Sequence, residues 1–293
     1  MNSGPIILSF DVEEHHRIEA AAGYECPSFL RDAYAERMDS TTRRLLDLLA
    51  EHDTQATFFI VGQIAVSHPK LIRDIHAAGH EIASHSWDHR RVHHFTPQTF
   101  AEDLRKSRDV LQQATGVGVH GFRAPTFSVM RETAWAIDVL TELGFAYDSS
   151  IFPVRHDRYG IPDAPRTPFL AQGKWGAILE LPPVTLRWWR FNLPVAGGGY
   201  FRLFPLKMME AGIRQALTLL PASAMLYFHP WEFDPDQPRL PLSRLSRWRT
   251  YVGMKRAMPR LSRLLTRHRF RRAIDVVEEL RGQALPEFTV ATS

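Results

Sequence analysis

The segment His85-Ser86-Trp87-Asp88-His89 places two imidazoles four residues apart, directly after the apolar run Glu81-Ile82-Ala83-Ser84. Neutral imidazoles bind divalent metals well, and a pair at i and i+4 on one helical turn can aim both at a single point. That leaves further positions for a carboxylate and for water. The segment is therefore expected to be the first turn of a helix, with two solvated surface histidines as the plainer alternative. A zinc-protease helix is excluded, because His80-Glu81-Ile82-Ala83-Ser84-His85 has one residue too many for His-Glu-x-x-His. With fourteen histidines in the chain, the pair carries weight only in company.

Three other segments supply that company. The apolar run Pro5-Ile6-Ile7-Leu8-Ser9-Phe10 stops at Asp11-Val12-Glu13-Glu14-His15-His16, the pattern of a buried strand delivering acids at its end. Asp11 and Glu13 are two apart, so an extended backbone turns both carboxylates to one side, one to bind metal and one to take a proton. A solvated acidic loop is the alternative. The segment Val117 to Phe127 runs into Arg123-Ala124-Pro125, and an arginine at a strand end suits a bidentate carboxylate partner. A fourth run, Ala224-Met225-Leu226-Tyr227-Phe228, ends in His229-Pro230-Trp231-Glu232.

With these four motifs in this order, the chain resembles the polysaccharide deacetylase family, the group with the NodB homology domain and related to carbohydrate esterase family 4. The resemblance spans most of residues 5 to 235. It is closest to the subgroup associated with bacterial exopolysaccharide and exosortase (PEP-CTERM) loci, which reads Asp-Val-Glu at the first motif and Phe-His-Pro-Trp-Glu at the last. The resemblance implies that Asp11 is the general base, His85 and His89 are metal ligands, Arg123 holds Asp11, and His229 is the general acid. Val12 stands where the commoner pattern has a metal-binding aspartate. Glu13 is therefore expected as the third ligand, with Glu14 as the fallback. Tyr227 replaces the Leu that usually lines the acetyl pocket.

Amide hydrolysis asks for the same residue types: an activated water, a place for the developing oxyanion, and a proton for a poor amine leaving group. Two histidines and a carboxylate hold a divalent metal that supplies the first and shares in the second, zinc foremost, with cobalt, nickel or iron(II) also accepted. A backbone N–H near Thr126 is expected to face the oxyanion. Asp148 is expected to orient His229 or its neighbourhood, or else to cap a loop. Thr126, Phe127, Tyr200 and Trp231 are the candidate substrate contacts, with core filling the alternative for the aromatics.

These residues need a scaffold, and the apolar patterning supplies one. A helix is expected over Ser40 to His52, followed by a strand over Ala56 to Val61. A helix over Pro69 to Ala78 closed by Gly79 leads to a strand over His80 to Ser84. Thr96 caps a third helix from Pro97 to about Ala114, and Glu132 to Leu143 forms a fourth stopped by Gly144. Alternating strands and helices mean an α/β fold with a parallel sheet. The resemblance implies a distorted barrel of about seven strands, of (β/α)7 type.

From Phe152 to Leu206 the rhythm gives way to Pro153, Pro162, Pro165, Pro168, Pro182, Pro183 and Pro194, with Gly197-Gly198-Gly199, as expected of long ordered loops that carry recognition. Trp188 and Trp189 are further stacking candidates there. The glycine triplet lacks a following Lys and a strand-to-helix setting, which argues against nucleotide binding. Twelve Lys or Arg and no acid lie between Arg239 and Arg272. Leu261, Leu264 and Leu265 mark one apolar helical face within this stretch. Such a region suits packing on the barrel with a solvated basic side, or peripheral contact with anionic membrane or an acidic polymer. A formal net charge of only +4 and the absence of a recognition motif argue against nucleic acid.

The expected organisation is a catalytic domain over residues 1–235 and a basic helical extension over 236–293. Cys26 is the only cysteine, which excludes an internal disulfide. The start of the chain reads directly into a strand, without the pattern of a signal peptide, and a cytoplasmic enzyme, peripheral to the inner membrane, is expected. The favoured activity is removal of N-acetyl groups from a hexosamine-containing bacterial exopolysaccharide or its precursor, the substrate being an N-acetylated polysaccharide or oligosaccharide. Hydrolysis of a small cyclic amide or imide, which calls for a closed pocket, is the nearest enzymatic alternative. A glycan-binding protein with a dead site is the non-enzymatic one.

Overall fold

The computed structural model describes residues 4–291. Its framework is a mostly parallel sheet whose strands alternate with helices along the chain. Strand β1 (Ile6–Val12) is buried at all seven positions, as a central parallel strand covered on both faces must be. Side chains alternate along it: Ile6, Leu8, Phe10 and Val12 pack in the main core against the helices, whereas Ile7 joins a second cluster with Phe59, Ala83, Tyr147 and Met225. Ser9, Asp11 and Glu13 continue the Ile7 side, so the alternation of the strand brings both acids to one face.

The chain continues through α1 (Ser28–Glu51), β2 (Thr57–Ile60), α2 (Gly62–Ser67), α3 (Pro69–Ala77), β3 (Glu81–Ser84), α4 (Pro97–Thr115), β4 (Gly121–Phe122), α5 (Trp135–Glu142) and β5 (Tyr147–Asp148). Next come β6 (Phe169–Gln172), β7 (Ala177–Glu180), the hairpin β8 (Thr185–Trp188) and β9 (Phe191–Pro194), α6 (Gly198–Leu203), α7 (Leu206–Leu217) and β10 (Ala224–Phe228). The last elements are α8 (Arg244–Tyr251), α9 (Ala257–Arg267), β11 (Phe270–Arg271), α10 (Ala273–Leu280) and β12 (Glu287–Thr289). The sheet order is β10-β1-β2-β3-β4-β5-β7-β6-β12, with β11 also on β1. All pairings are parallel except β6 with β7. Beyond β7, a parallel bridge joins Pro183 to Met225 of β10, and the Val184 N–H donates to the Met225 carbonyl at 3.0 Å.

Helix α1 starts at Ser28, twelve residues before the expected Ser40. Its first turns carry Tyr34 and Met38 as buried contacts, a spacing too sparse to stand out beside Leu45 and Leu49. Helix α4 begins as its sequence suggests, with a reciprocal Thr96–Thr99 capping box and Pro97 at the first helical position. Gly116 in the left-handed region, φ 77°, ends it. The span Glu132 to Leu143 divides into a short 3-10 turn at Arg131–Thr133 and α5.

The last third of the chain is built into the sheet: β11 pairs with β1, β12 pairs with β6, and Ala273, Val276, Val277 and Leu280 of α10 fill the cluster around Ile7 and Phe59. Leu261, Leu264 and Leu265 of α9 are buried in the main core. No helix among the described residues is long and apolar enough to cross a membrane.

Candidate active site

His85 and His89 do not sit on a helix. They follow β3 on a loop whose Ser86 and His89 are left-handed, φ 68° and 66°, and this backbone folds the two rings to 5.1 Å apart. The helical expectation overlooked what holds the loop from outside. The Ser86 hydroxyl and the Trp87 N–H both donate to Asp103 Oδ2 of α4 at 2.9 Å, while Gly62 and Gln63 of α2 donate to the Ser86 and Trp87 carbonyls at 2.9 Å. The pinned loop satisfies its polar groups without a helical ladder. Burial pushes the Asp103 carboxyl up to about 6.

Glu13 meets this pair. One ligand atom each from Glu13, His85 and His89 lie within 4.8 Å of one another. Glu13 Oε2 faces His89 Nε2 and is otherwise without a hydrogen-bond partner. His85 donates through Nδ1–H to the Arg123 carbonyl at 2.7 Å, which leaves Nε2 as its free lone pair. Burial holds the His85 imidazole down near 4, in the neutral form a metal requires. Burial acts to raise Glu13, but His89, His229 and His85 outweigh it and keep the carboxylate ionised, below its usual range. A carboxylate and two neutral imidazoles on a buried convergence point fit a divalent cation. Glu14 does not compete, since it pairs with Arg17 at 2.5 Å.

Asp11, on the same strand face, bonds Arg123 Nη1 at 2.6 Å. Arg123 is fully buried, and all its donor nitrogens are engaged: Nη1 also reaches Ser9 Oγ at 2.9 Å, Nε the Ser149 carbonyl at 3.1 Å, and Nη2 Ser149 Oγ at 2.9 Å. Its Cζ lies 4.1 Å from the Phe59 ring centroid. A guanidinium so fully held fixes one oxygen of Asp11 and leaves Oδ2 toward the cleft, 3.8 Å from His229 Nε2.

His229 stands at the end of β10, with Nε2 also 3.9 Å from Glu13 Oε1. Asp148 does not orient it. That carboxylate accepts from the Ser149 N–H at 2.8 Å and from the Ser150 hydroxyl, and it faces Glu180. The residue that holds His229 is Glu232, whose Oε1 accepts from Nδ1 at 2.8 Å and from the His229 N–H at 3.1 Å. Glu232 Oε2 takes Arg202 Nε at 2.7 Å. Burial acts to lower the His229 imidazole, but the Glu232 hydrogen bond, then Glu13 and Asp11, raise it to about 9. The i, i+3 spacing of His229 and Glu232 in His-Pro-Trp-Glu was the sequence signal for this pair. Arg202 had none, being thirty residues away in a different helix.

A cleft of about 750 Å³ opens above these groups, and Thr126, Phe127, Tyr200 and Trp231 all line it. Trp231 is no free stacking platform: its Nε1–H donates to Glu13 Oε1 at 3.0 Å, and its ring stacks on His229 with centroids 5.2 Å apart. Thr126 and Phe127 sit on a tight left-handed turn, φ 57° and 50°. The Phe127 ring packs edge-on to Tyr227 at 4.8 Å. Gly197 lies against the backbone of β10 so closely that a Cβ there would stand 1.6 Å from the Tyr227 carbonyl oxygen. Trp188 and Trp189 are exposed on the β8–β9 hairpin and do not line the cleft. The cleft does include Arg155, Arg158, Trp248 and Arg249, which sequence reasoning did not place there.

The alternating parallel fold carries a cluster of strand-end acid and histidines, and residues 18–147, under half of the chain, match the model of the family described as polysaccharide deacetylase. Residues 149–278 match a second model, described as a domain of unknown function (DUF3473). Among curated proteins, the chain is 33% identical over 145 residues to a chitooligosaccharide deacetylase of Sinorhizobium fredii, covering 48% of this chain and 64% of that one. It is 29% identical over 108 residues to the peptidoglycan-N-acetylglucosamine deacetylase PgdA of Listeria monocytogenes, covering 34% of this chain and 23% of that one. The chain thus spans less than two thirds of either relative. A solved structure from Mycobacterium smegmatis, provisionally named a polysaccharide deacetylase, superposes with a TM-score of 0.66 at 21% identity over 99% of this chain and 94% of that one. The PuuE allantoinase gives 0.64 at 17% over 96% and 91%. These two likenesses concern the fold.

Proposed function

We propose that this protein is a metal-dependent N-deacetylase that removes N-acetyl groups from N-acetylhexosamine residues of a bacterial exopolysaccharide or its precursor. The observation that carries this reading is the convergence at one end of the cleft of a two-His, one-carboxylate donor set with a carboxylate and an imidazole on either side of it. His229 Nε2 lies 3.8 Å from Asp11 and 3.9 Å from Glu13. The family match and the deacetylase relatives support the same reaction class. A cleft of about 750 Å³ bounded as far out as Val252 suits a segment of glycan better than a small cyclic amide.

Glu13, His85 and His89 would hold the divalent ion, zinc foremost, which supplies Lewis-acid polarisation to water and to the acetamide carbonyl. Asp11 accepts the proton of the attacking water through Oδ2, its other oxygen fixed by Arg123. The water oxygen bonds to the carbonyl carbon, and the turn at Thr126 offers its backbone to the oxygen that gains charge. His229, kept protonated near neutral pH by Glu232, gives its proton to the nitrogen as the C–N bond breaks, yielding acetate and a free amine. Tyr227 and Phe127 bound the space for the acetyl methyl group.

Acetate release from N-acetylhexosamine oligomers by the zinc-loaded protein tests this, beside Asp11→Asn and His85→Ala. Release abolished in both variants is the expected result. No release from any oligomer by protein carrying one zinc per chain overturns the reading.

A further inference from the structure

One wall of the cleft has no part in the chemistry above. It is made by α8, which contributes Ser246, Trp248, Arg249 and Thr250, and by the loop Arg155 to Tyr159. Trp248 is 52% exposed, unusual for an indole that lines a cleft. Arg155, Arg158 and Arg249 form no ion pair among the described residues. The acids nearest them are accounted for: Glu19 is engaged by Arg91 at 3.2 Å, and Asp157 faces His156 Nδ1 at 3.0 Å. Three arginines therefore line this part of the cleft beside a single exposed carboxylate, that of Asp157.

The wall is also fixed in place. Buried Arg202 donates to the carbonyls of Thr250 and Val252 at 2.5 and 3.1 Å while holding Glu232, so α8 is tied to the same residue that orients His229. The Tyr251 hydroxyl accepts from the Leu240 N–H at 2.7 Å and meets His15 Nε2 at 2.9 Å. In the loop of the same wall, Arg91 donates to the Arg158 carbonyl at 2.7 Å, and the His156 ring stacks on Tyr159 with centroids 4.0 Å apart. Cations carried on a braced backbone around a concavity raise the local potential that draws in an anion. Guanidiniums pair bidentately with carboxylate and phosphate, and an exposed indole offers a sugar ring an apolar face.

We propose that this wall is a subsite for an anionic group on the glycan, with Trp248 stacking on a sugar and Arg249, Arg155 and Arg158 binding a carboxylate or phosphate beside it. The natural substrate is then an acidic amino-sugar polymer or precursor. This deepens the deacetylase reading and rests on it for the position of the acetamido group.

The test uses the zinc-loaded full chain and three probes: a neutral N-acetylglucosamine tetramer, a tetramer in which N-acetylglucosamine alternates with glucuronic acid, and N-acetylglucosamine units joined by phosphodiester. Binding is read by calorimetry and turnover by acetate release. At least one acidic probe is expected to bind about tenfold more tightly than the neutral one at low salt. The preference shrinks as salt rises. Which acidic probe is preferred tells a carboxylate from a phosphate. Arg249→Gln, and separately Arg155→Gln, bring the acidic-to-neutral ratio toward one, and the salt response of the wild type provides a readout independent of any variant's folding. Equal binding of all three probes, or a preference unchanged in both variants, overturns the subsite even if every probe is deacetylated. Arginine-dependent preference without acetate release upholds the subsite and overturns the deacetylase reading instead.

Discussion

Asp11, Glu13, His85 and Arg123 stand at or just beyond the carboxyl ends of β1, β3 and β4, whereas Tyr200, Arg202, Trp248 and Arg249 reach the same cleft from short helices and the loops between them. On the first side, position follows from the sheet: registers such as Asp11 opposite Phe59 and Ser84 opposite Phe122 set each strand end to within one residue. On the second side, position follows from buried arginines and carboxylates that span long stretches of chain, Arg202 to Glu232 and to the Thr250 carbonyl among them. The difference teaches where a cleft keeps its chemistry and where it can change its ligand. A strand end cannot move without its whole ladder, whereas a helix held by a few side-chain bonds can carry different residues on its open face.

The largest expected effect falls on the strand-end side and separates a metal ligand from a proton donor. His85→Ala should lower acetate release by about a thousandfold or more and also lower the zinc retained per chain, because it removes a ligand. His229→Ala should lower release by about a hundredfold or more with zinc content unchanged, because it removes only a proton donor. Metal analysis and acetate release on the same samples check both. Zinc loss in His229→Ala would mean that the metal site is not confined to Glu13, His85 and His89.

A smaller effect crosses between the sides. Trp231 belongs to the His229 segment, yet its indole N–H donates to Glu13 at 3.0 Å. Trp231→Phe keeps the ring that stacks on His229 and deletes this donor, so zinc affinity should weaken about tenfold, as is typical when a partner of a ligand is removed. Competition for zinc against a chelator measures it. An unchanged affinity would show that Glu13 is positioned from β1 alone.

That crossing also marks what could be read from the chain and what could not. Asp11, Glu13, Arg123 and His229 stood out because apolar runs end at each of them, and a strand end is a local pattern. His85 and His89 stood out by spacing, but the expected helix was wrong: the left-handed Ser86 and His89 answer to Asp103 and α2, which no window around residue 85 contains. Glu232 lies within reach three residues from His229, yet the expected partner is Asp148, whose alternative role as a loop cap is the one its bonds to Ser149 and Ser150 fit. Arg202 and the α8 wall were not legible, since their roles exist only once residues 30 to 50 positions apart are packed together. Trp188, Trp189, Trp231 and Trp248 are chemically alike in the sequence, and only packing sorts them into two exposed hairpin residues, one ligand support and one cleft residue.

Asp148 has a different test, because it belongs to the sheet but does not line the cleft. It lies on β5, opposite Glu180 of β7, with both carboxyls buried. Burial, only partly offset by Ser150, Glu180 and Ser149, pushes Asp148 up to about 6 from 3.8, and burial with the charge of Asp148 pushes Glu180 well above its ordinary range. A carboxyl raised on folding keeps a proton that the unfolded chain releases. Its contribution to stability is therefore complete below about 3.8 and is lost as pH rises through about 6. Asp148→Asn removes that titration, so the melting temperature of the variant relative to wild type should move in the variant's favour by about 2–5 °C between pH 4 and pH 7. Parallel shifts in the two proteins would show that the pair does not titrate in this window.

The smallest effect is expected at the hairpin. Trp188 and Trp189 are 66% and 80% exposed, and their strands β8 and β9 pair only with each other. Neither lines the cleft, so an aromatic platform for the reacting sugar cannot be built from them. Trp189→Ser should change stability by no more than about 0.5 kcal/mol, and kcat/KM for the oligomers by no more than about twofold. Trp248→Ser should instead raise KM severalfold through loss of stacking. If Trp189→Ser raises KM as much as Trp248→Ser, the substrate runs out over the hairpin, and the recognition wall extends beyond α8 and residues 155–159 to the far end of the loops.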